Sequence, residues 1–322
     1  MILAEHAHLR IAAASHPGMK GKTNEDRYSV TAYRSGPEDP TPSVLAILAD
    51  GVGGHRAGEV AAQLAVENIN KFIASSPTNQ PIQVLQQALL HTNQLILNFA
   101  AANPSLAGMG TTCVCVWVLG DQLYAAAMGD SRLYLQRDER LTCLTTDHTW
   151  VQEALARGAL TPEQVQGHPN AHIIRRFLGS TNSANPDFRL RLNPDESDIQ
   201  SEANQGLRLL PGDRLLLCTD GLHDLVRDAE ILDILRTRQL DEGPTQLIDL
   251  ANQRGGHDNI TVVTLEMPQA EPIARPSVRL TGQLKLKKGQ SRRSAVSWWM
   301  IGMLLVAILS MLLLLLYLSR PF

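Results

Sequence analysis

Five aspartates stand where apolar runs stop. Asp50 follows VLAILA and precedes GVGGH, Asp130 follows LYAAAMG and precedes SR, and Asp220 follows RLLLCT and precedes GLHD. Asp258 precedes NITVVTL, and Asp26, in TNEDRY, opens another such run. In a packed sheet, neighbouring strand ends lie about 5 Å apart, so several of these carboxylates can converge on one edge. A like-charge cluster of that kind raises its own pKa values or recruits cations. An all-oxygen set of aspartates and backbone carbonyls suits Mg²⁺ or Mn²⁺ rather than zinc. The plain alternative at any single site is turn chemistry, because Asp and Gly end strands through their backbone preferences. Five such sites in one chain favour the cation, and Asp50-Gly51 with Gly53-Gly54 adds a loop whose backbone can approach a ligand closely.

The elements that must position these residues are short and apolar. Runs rich in Val, Leu, Ile and Ala predict strands at 9–14, 28–33, 44–49, 112–119, 122–128, 132–136, 214–218 and 260–265. Long helices are expected over 57–73 and 82–101, between the third and fourth strands, with others at 228–237 and 244–253. Consecutive strands with helices grouped in pairs argue for an α+β protein with helices packed outside sheets, not for a regular parallel β-α repeat. Residues 146–185, including DHTWVQEALARGALTPEQ, read as short helices and loops inserted between strands, in the manner of a lid.

Composition bounds the function classes. The chain has 322 residues, 44% hydrophobic and 19% charged, which excludes fibrous and disulfide-scaffold readings. Its net charge of -3 is unevenly divided, because residues 268–297 carry seven Lys/Arg against one acid and the segment beyond adds only Arg320. Residues 1–267 are left with 21 basic and 31 acidic groups, a net -10. A body this acidic is a poor nucleic-acid binder, which needs Lys and Arg to neutralise phosphates. Cys113, Cys115, Cys143 and Cys218 lack C-x-x-C spacing and lie in strand-like runs, so they are expected as reduced core residues rather than as a nucleophile or zinc site. Residues 1–10 show no signal peptide, and synthesis is expected to begin in the cytoplasm.

Residues 298–318, WWMIGMLLVAILSMLLLLLYL, contain no charge. As a helix the segment spans about 31 Å, matching a bilayer core of about 30 Å, with Trp298, Trp299 and Tyr317 at its ends. A transmembrane helix is expected there. Lys285, Lys287, Lys288, Arg292 and Arg293 precede it, which puts that flank and the whole preceding body in the cytoplasm of a single-pass protein of the cell membrane. The intervening 267–297, with scattered Pro, Gly and basic residues, reads as a tether whose charges either touch anionic lipid or only set topology.

The ordered series TNED (Thr23 to Asp26), DGVGGH (Asp50 to His55), GMGTT (Gly108 to Thr112), GDSR (Gly129 to Arg132), TDGLHD (Thr219 to Asp224) and HDNIT (His257 to Thr261) resembles the metal-dependent Ser/Thr protein phosphatases of the PP2C (PPM) family in their compact bacterial form. The match covers roughly 8–266. Each motif alone is weak, but their order and spacing together are specific. The resemblance implies a four-layer α/β/β/α sandwich with a di-metal site at one end. Carried over by position, Asp50 would bridge two Mn²⁺ or Mg²⁺ ions and Gly51 would offer its carbonyl. Asp220 and Asp258 would hold the first ion, and Asp26 and Glu25 the second, while Asp130 resembles the ligand of a third, weaker one. Asn259 would support the site by hydrogen bonds. The implied reaction is hydrolysis of phosphoserine and phosphothreonine on cytoplasmic proteins by a metal-activated water, opposing Ser/Thr kinases. The absence of G-x-S-x-G, H-E-x-x-H and P-loop motifs is consistent with this.

The sequence departs from the family pattern in two places. The family Arg that binds substrate phosphate is replaced by Gly21, leaving Lys20 and Lys22 to supply a point charge or to be solvated surface residues. Val52 stands where animal members carry a His, and His55, His148, His168, His172 and His223 are expected to be structural more often than catalytic. The insert resembles the family's flap and is expected to govern access of phosphoproteins. Two other readings stay open. One is a non-catalytic adaptor that docks phosphoproteins, which the complete aspartate set disfavours. The other is a metal-dependent nuclease or small-molecule phosphohydrolase, whose nuclease form the acidic charge disfavours.

Overall fold

Two antiparallel sheets organise the chain. The computed structural model describes residues 1–269 except 22, 53–55, 166 and 182–184. In chain-order numbering, the first sheet runs β1 (Ile2–Leu3), β3 (Arg27–Arg34), β4 (Pro42–Ala49), β7 (Cys113–Leu119), β8 (Gln122–Met128), β11 (Leu207–Arg208). The second runs β10 (Arg140–Cys143), β9 (Arg132–Arg137), β12 (Arg214–Cys218), β13 (Ile260–Glu266), β2 (Arg10–His16). A short pair, β5 (Gly51–Val52) and β6 (Gly110–Thr111), sits apart. The helices are α1 (Arg56–Ala74), α2 (Pro81–Ala102), α3 (Trp150–Ala156), α4 (Pro162–Val165), α5 (Asp198–Ala203), α6 (Asp220–His223), α7 (Asp228–Thr237) and α8 (Gly243–Gln253).

Period-two burial explains the layering, because both faces of the central strands are apolar and each face finds its own partner. Leu45, Ile47 and Ala49 of β4, with Cys113, Cys115 and Trp117 of β7, pack under Ala61, Ala65, Ile69 and Ile73 of α1 and Leu85, Leu89 and Ile96 of α2. The alternate residues Val44, Ala46, Leu48, Val114, Val116 and Val118 face Leu133, Leu135, Leu215, Leu217, Val263 and Leu265 of the second sheet. Behind that sheet, Leu216, Cys218, Ile260 and Val262 meet Ile231, Leu235, Leu247 and Ile248 of α7 and α8. The order is therefore helix, sheet, sheet, helix. Each fully buried Leu or Ile contributes about 1.5–3 kcal/mol, so the three apolar interfaces outweigh any local propensity.

The expected strands and helices fall within a few residues of their places, and 122–128, 214–218 and 228–237 match β8, β12 and α7 end to end. Seven short elements were not expected: β1, β5, β6, β10, β11, α5 and α6. β10 has only four residues, and it exists because Asp138, at φ 53, turns the chain back so that it pairs with β9. α5 has no apolar period, and its sequence signal is the Ser197/Gln200 capping box. The expected transmembrane helix, and the tether from residue 270 onward, lie outside the described residues; among those described, no helix is long and apolar enough to cross a membrane.

Candidate metal centre

Strand register delivers the five aspartates to one edge. In the first sheet Arg27 pairs with Ala49, which sets Asp26 and Asp50 side by side at the strand ends. In the second, Cys218 pairs with both Arg132 and Val262, so Asp130, Asp220 and Asp258 lie just beyond the same edge. Asp26 joins the sheets, since its Oδ2 accepts from Thr219 Oγ1 at 3.1 Å and from Thr261 Oγ1 at 2.7 Å, both in the second sheet's strands or their ends. Asp50 is fixed through its backbone. Its N–H donates to Thr112 Oγ1 at 3.0 Å, and its carbonyl accepts from the Thr112 N–H and the Thr111 hydroxyl, each at 2.8 Å.

Two glycines permit the close approaches at this edge. A Cβ on Gly51 would lie 2.4 Å from the Gly58 backbone, and one on Gly221 would lie 2.1 Å from the Asn259 carbonyl oxygen. Neither contact tolerates a side chain. The result is a cavity of about 590 Å³ lined by Glu25, Asp50, Gly51, Asp220 and Asp258 and, from the insert, His172.

The electrostatics of this cavity are those of crowded carboxylates. Burial raises Asp26 to about 7, and the charges of Asp220 and Asp258 push the same way against the Thr261 hydroxyl bond. Asp220 is also raised to about 7, by burial and then by Asp224 and Asp258. Asp50 and Asp130 are pushed well up, by burial first and then by neighbouring aspartates. Asp26 and Asp130 are only 3% and 5% exposed, and Oδ1 of each lacks a hydrogen-bond partner among the described residues. Buried carboxylate oxygens without donors are costly, and an oxygen-only cluster is what a hard divalent cation takes as ligands. The residues fit Mn²⁺ or Mg²⁺.

Asn259 fastens Glu25 in place. Its Oδ1 accepts from the Glu25 N–H at 2.8 Å, and its Nδ2 donates to the Pro17 carbonyl at 3.1 Å. Asn259→Ala is expected to strand both backbone groups and cost about 1–3 kcal/mol of stability. Chemical denaturation of the variant with and without Mn²⁺ measures this, and the loss should be larger with the metal present because Glu25 is displaced as well.

The remaining expected residues separate clearly. Lys20 is exposed and outside the cavity lining, and Lys22 and His55 lie outside the described residues. His148 is buried, with Nδ1 accepting from the Gly129 N–H at 3.1 Å; Nε2 therefore carries the proton and donates to Asp187 at 2.9 Å. His168 stacks on Trp150. His223 donates from Nε2 to the Asp130 carbonyl at 3.0 Å, and burial lowers it to about 4, so it stays neutral and positions Asp130. The reading from sequence missed the hydroxyls of Thr112, Thr219 and Thr261, together with His172 in the cavity lining and Asp224 beside it. All but His172 fall inside the quoted motifs, where Thr219 directly precedes Asp220 and Thr261 follows Asp258 by three residues.

Within the insert Thr149 bridges Ile174, while Leu178 bridges Thr111 of β6 and Asp187, just beyond the insert, bridges Ala127 of β8. At its base Arg132 clasps Asp147 with two hydrogen bonds, at 2.9 and 2.6 Å.

Residues 18–249 match the family model described as Protein phosphatase 2C. The chain belongs to the protein phosphatase 2C family. The serine/threonine protein phosphatase PstP of Mycobacterium tuberculosis is 36% identical over 275 residues, which span 84% of this chain and 48% of PstP, so this chain matches about half of that relative's length. Protein phosphatase PhpP of Streptococcus pneumoniae is 32% identical over 267 residues, 82% of this chain and 99% of its own. Among solved structures, the M. tuberculosis serine/threonine phosphatase PstP superimposes with a TM-score of 0.68 at 35% identity, covering 81% of this chain and 99% of the solved one. Its catalytic domain with two manganese ions gives 0.65 at 35% identity, over 80% and 97% of the two chains.

Proposed function

We propose that this chain is a metal-dependent protein phosphatase that hydrolyses phosphoserine and phosphothreonine on cytoplasmic proteins. The observation that carries the reading is the convergence of Asp26, Asp50, Asp130, Asp220 and Asp258 at one sheet edge, with two buried carboxylate oxygens that lack partners among the described residues. The names of its relatives and the manganese-bound PstP domain support it. Asp50 would hold both ions and Gly51 would offer its carbonyl, with Asp220 and Asp258 completing one, Glu25 and Asp26 the other, and Asp130 serving a third, weaker position. When bound, the ions supply an activated water for in-line displacement at phosphorus and offset charge on the phosphoryl oxygens.

The chain's own residues prepare that chemistry. Thr219 and Thr261 orient Asp26, Thr112 holds the Asp50 backbone, and Asn259 anchors Glu25. Thiolate formation is disfavoured at all four cysteines, since burial pushes Cys113 up to about 12, Cys143 to about 11, and Cys115 and Cys218 well above their ordinary range. Lys20 and Lys22 are proposed as auxiliary contacts to substrate phosphate in place of the family Arg. The insert, which brings His172 and Ile174 to the cavity, is proposed to select phosphoprotein substrates. Shortening it between Ala156 and His168 is expected to lower kcat/KM for a phosphoprotein several-fold while leaving hydrolysis of a small aryl phosphate nearly unchanged; steady-state kinetics on both substrates checks this.

The uncharged segment 298–318 and the basic residues before it support a single-pass anchor that holds the catalytic body on the cytoplasmic side of the cell membrane. Turnover of a phosphothreonine peptide by the full chain with Mn²⁺, abolished by EDTA, tests the activity. Manganese binding without turnover would instead favour a phosphoprotein-docking adaptor. Recovery of the chain in the membrane fraction, and its release by deletion of 298–318, tests the anchor.

A further inference from the structure

We propose that the groove between α2 and the insert binds the stretch of phosphoprotein chain that flanks the phosphorylated residue, taking from it one apolar side chain and, at the rim, one acidic side chain. The proposal rests on the phosphatase reading and deepens it by assigning a sequence preference. The groove has a volume of about 620 Å³, and its apolar lining comes from Leu97 and Ala100 of α2 and from Met109, Ile174 and Phe177. Ile174 also lines the metal cavity, so the two spaces are neighbours across one residue. An extended peptide advances about 3.3 Å per residue, so a chain whose phosphoresidue enters the cavity passes Ile174 and lays residues roughly two to four places away in the groove.

Both walls are held in place without a ligand. Thr111 and Leu178 exchange two backbone hydrogen bonds of 2.9 Å, which close the seam between β6 and the insert. Glycines let the two sides meet there. A Cβ on Gly110 would lie 2.6 Å from the Phe177 ring, and one on Gly179 would lie 2.6 Å from the Met109 carbonyl oxygen. Asn93 of α2, buried, pins the end of the insert: its Oδ1 accepts from the Gly179 N–H at 2.7 Å and its Nδ2 donates to the Ser180 carbonyl at 3.4 Å. At the cavity side the Arg175 N–H donates to the His148 carbonyl at 2.7 Å, which fixes the backbone next to Ile174. Walls ordered in advance leave little entropy to be lost on binding.

The rim sets the charge of the occupant. Glu153 lies 3.7 Å from Arg175 and 3.8 Å from Arg157, whose side chains are 53% and 79% exposed. Two guanidinium groups thus share one carboxylate, and a positive charge is left in excess. Exposed pairs of this kind are weak, so Arg175 can turn to an acidic side chain of the substrate. A small phosphomonoester fills only the metal cavity and gains nothing from the groove.

The test uses the full chain with Mn²⁺ and phosphothreonine peptides of one length, in which Leu, Ser, Glu or Lys is placed in turn at each position within about five residues of the phosphothreonine; a small aryl phosphate is the reference. Leu should exceed Ser by about tenfold in kcat/KM at one position, on one side of the phosphothreonine, the scale of burying one aliphatic side chain. Next to that position Glu should exceed Lys, and Arg175→Gln should remove this second preference. Ala100→Trp, which fills the groove, and Leu97→Gln, which makes its wall polar, should each erase the Leu preference through KM, with aryl phosphate hydrolysis and thermal unfolding close to wild type. A wild type that treats Leu and Ser alike at every position, or a Leu preference that survives both variants, overturns the proposal and leaves the phosphatase reading intact. A kcat/KM that varies with enzyme concentration, and ceases to in Ala100→Trp, would mean that a second copy of the chain covers the groove, and also overturns it. Failure to hydrolyse the aryl phosphate and every peptide overturns both readings.

Discussion

Asp50→Asn is expected to abolish Mn²⁺-dependent turnover of a phosphothreonine peptide, by at least about 10²-fold in kcat/KM, and at the same time to stabilise the metal-free chain. The two effects share one cause. Burial pushes the Asp50 carboxyl up, and the charges of Asp26, Asp220, Asp130 and Asp258 push it further. Without a cation the carboxylate repels its neighbours, and an amide of the same shape removes that repulsion. A gain of about 1 kcal/mol would raise Tm by roughly 2–4 °C in a body of this size. Thermal unfolding in EDTA and kinetics with Mn²⁺ measure the two halves. An active variant, or one that is inactive but less stable without metal, would show that Asp50 acts as an ordinary structural residue.

The second large effect is a pH dependence whose sign depends on the metal. Asp26 and Asp220 titrate at about 7 in the folded chain, far above an unfolded aspartate near 4. Between those values the folded state binds more protons than the unfolded one, so stability falls as pH rises, and the contribution is lost on passing through about 7. His223 works the other way, because its folded value of about 4 lies below the ordinary 6.5, but its contribution is complete above pH 6.5. Asp147 and Asp187, both lowered, are ionised throughout this range. The window from pH 6.5 to 8 therefore isolates the cluster. In EDTA, Tm should drop across it by several degrees, with a slope of up to about 1 kcal/mol per pH unit for each proton released. With saturating Mn²⁺ the slope should reverse, because ligands must lose their protons to bind and affinity climbs with pH. Calorimetry across the window in both conditions checks this, and a flat profile in EDTA would mean that the aspartates are not coupled in solution.

The amino-acid sequence by itself determined the ingredients of this protein. Strands such as 44–49 and 113–119 are apolar on both faces, and in a chain this size such strands must be covered on both sides, which leads to stacked sheets with helices outside. Glycine and aspartate at strand ends marked the residues at the edge, since their backbone preferences and charge are local properties. The uncharged segment 298–318 is likewise a property of sequence alone.

Only the tertiary structure decided how these ingredients meet. No local signal places Thr219 and Thr261 against Asp26, some 200 residues earlier, because that contact depends on how one sheet lies on the other. β10 and α5 went unread because four or six residues carry too little periodicity to outweigh their neighbours. His172 was expected to be structural rather than catalytic, and its place beside Asp220 and Asp224 follows from backbone bonds within the insert that tie residues 173–175 to residues 148–150. Burial, register and long-range hydrogen bonds are collective quantities, set by packing the whole chain at once; residue type, charge and spacing are not, which is why the carboxylates could be named from the sequence and their common edge could not.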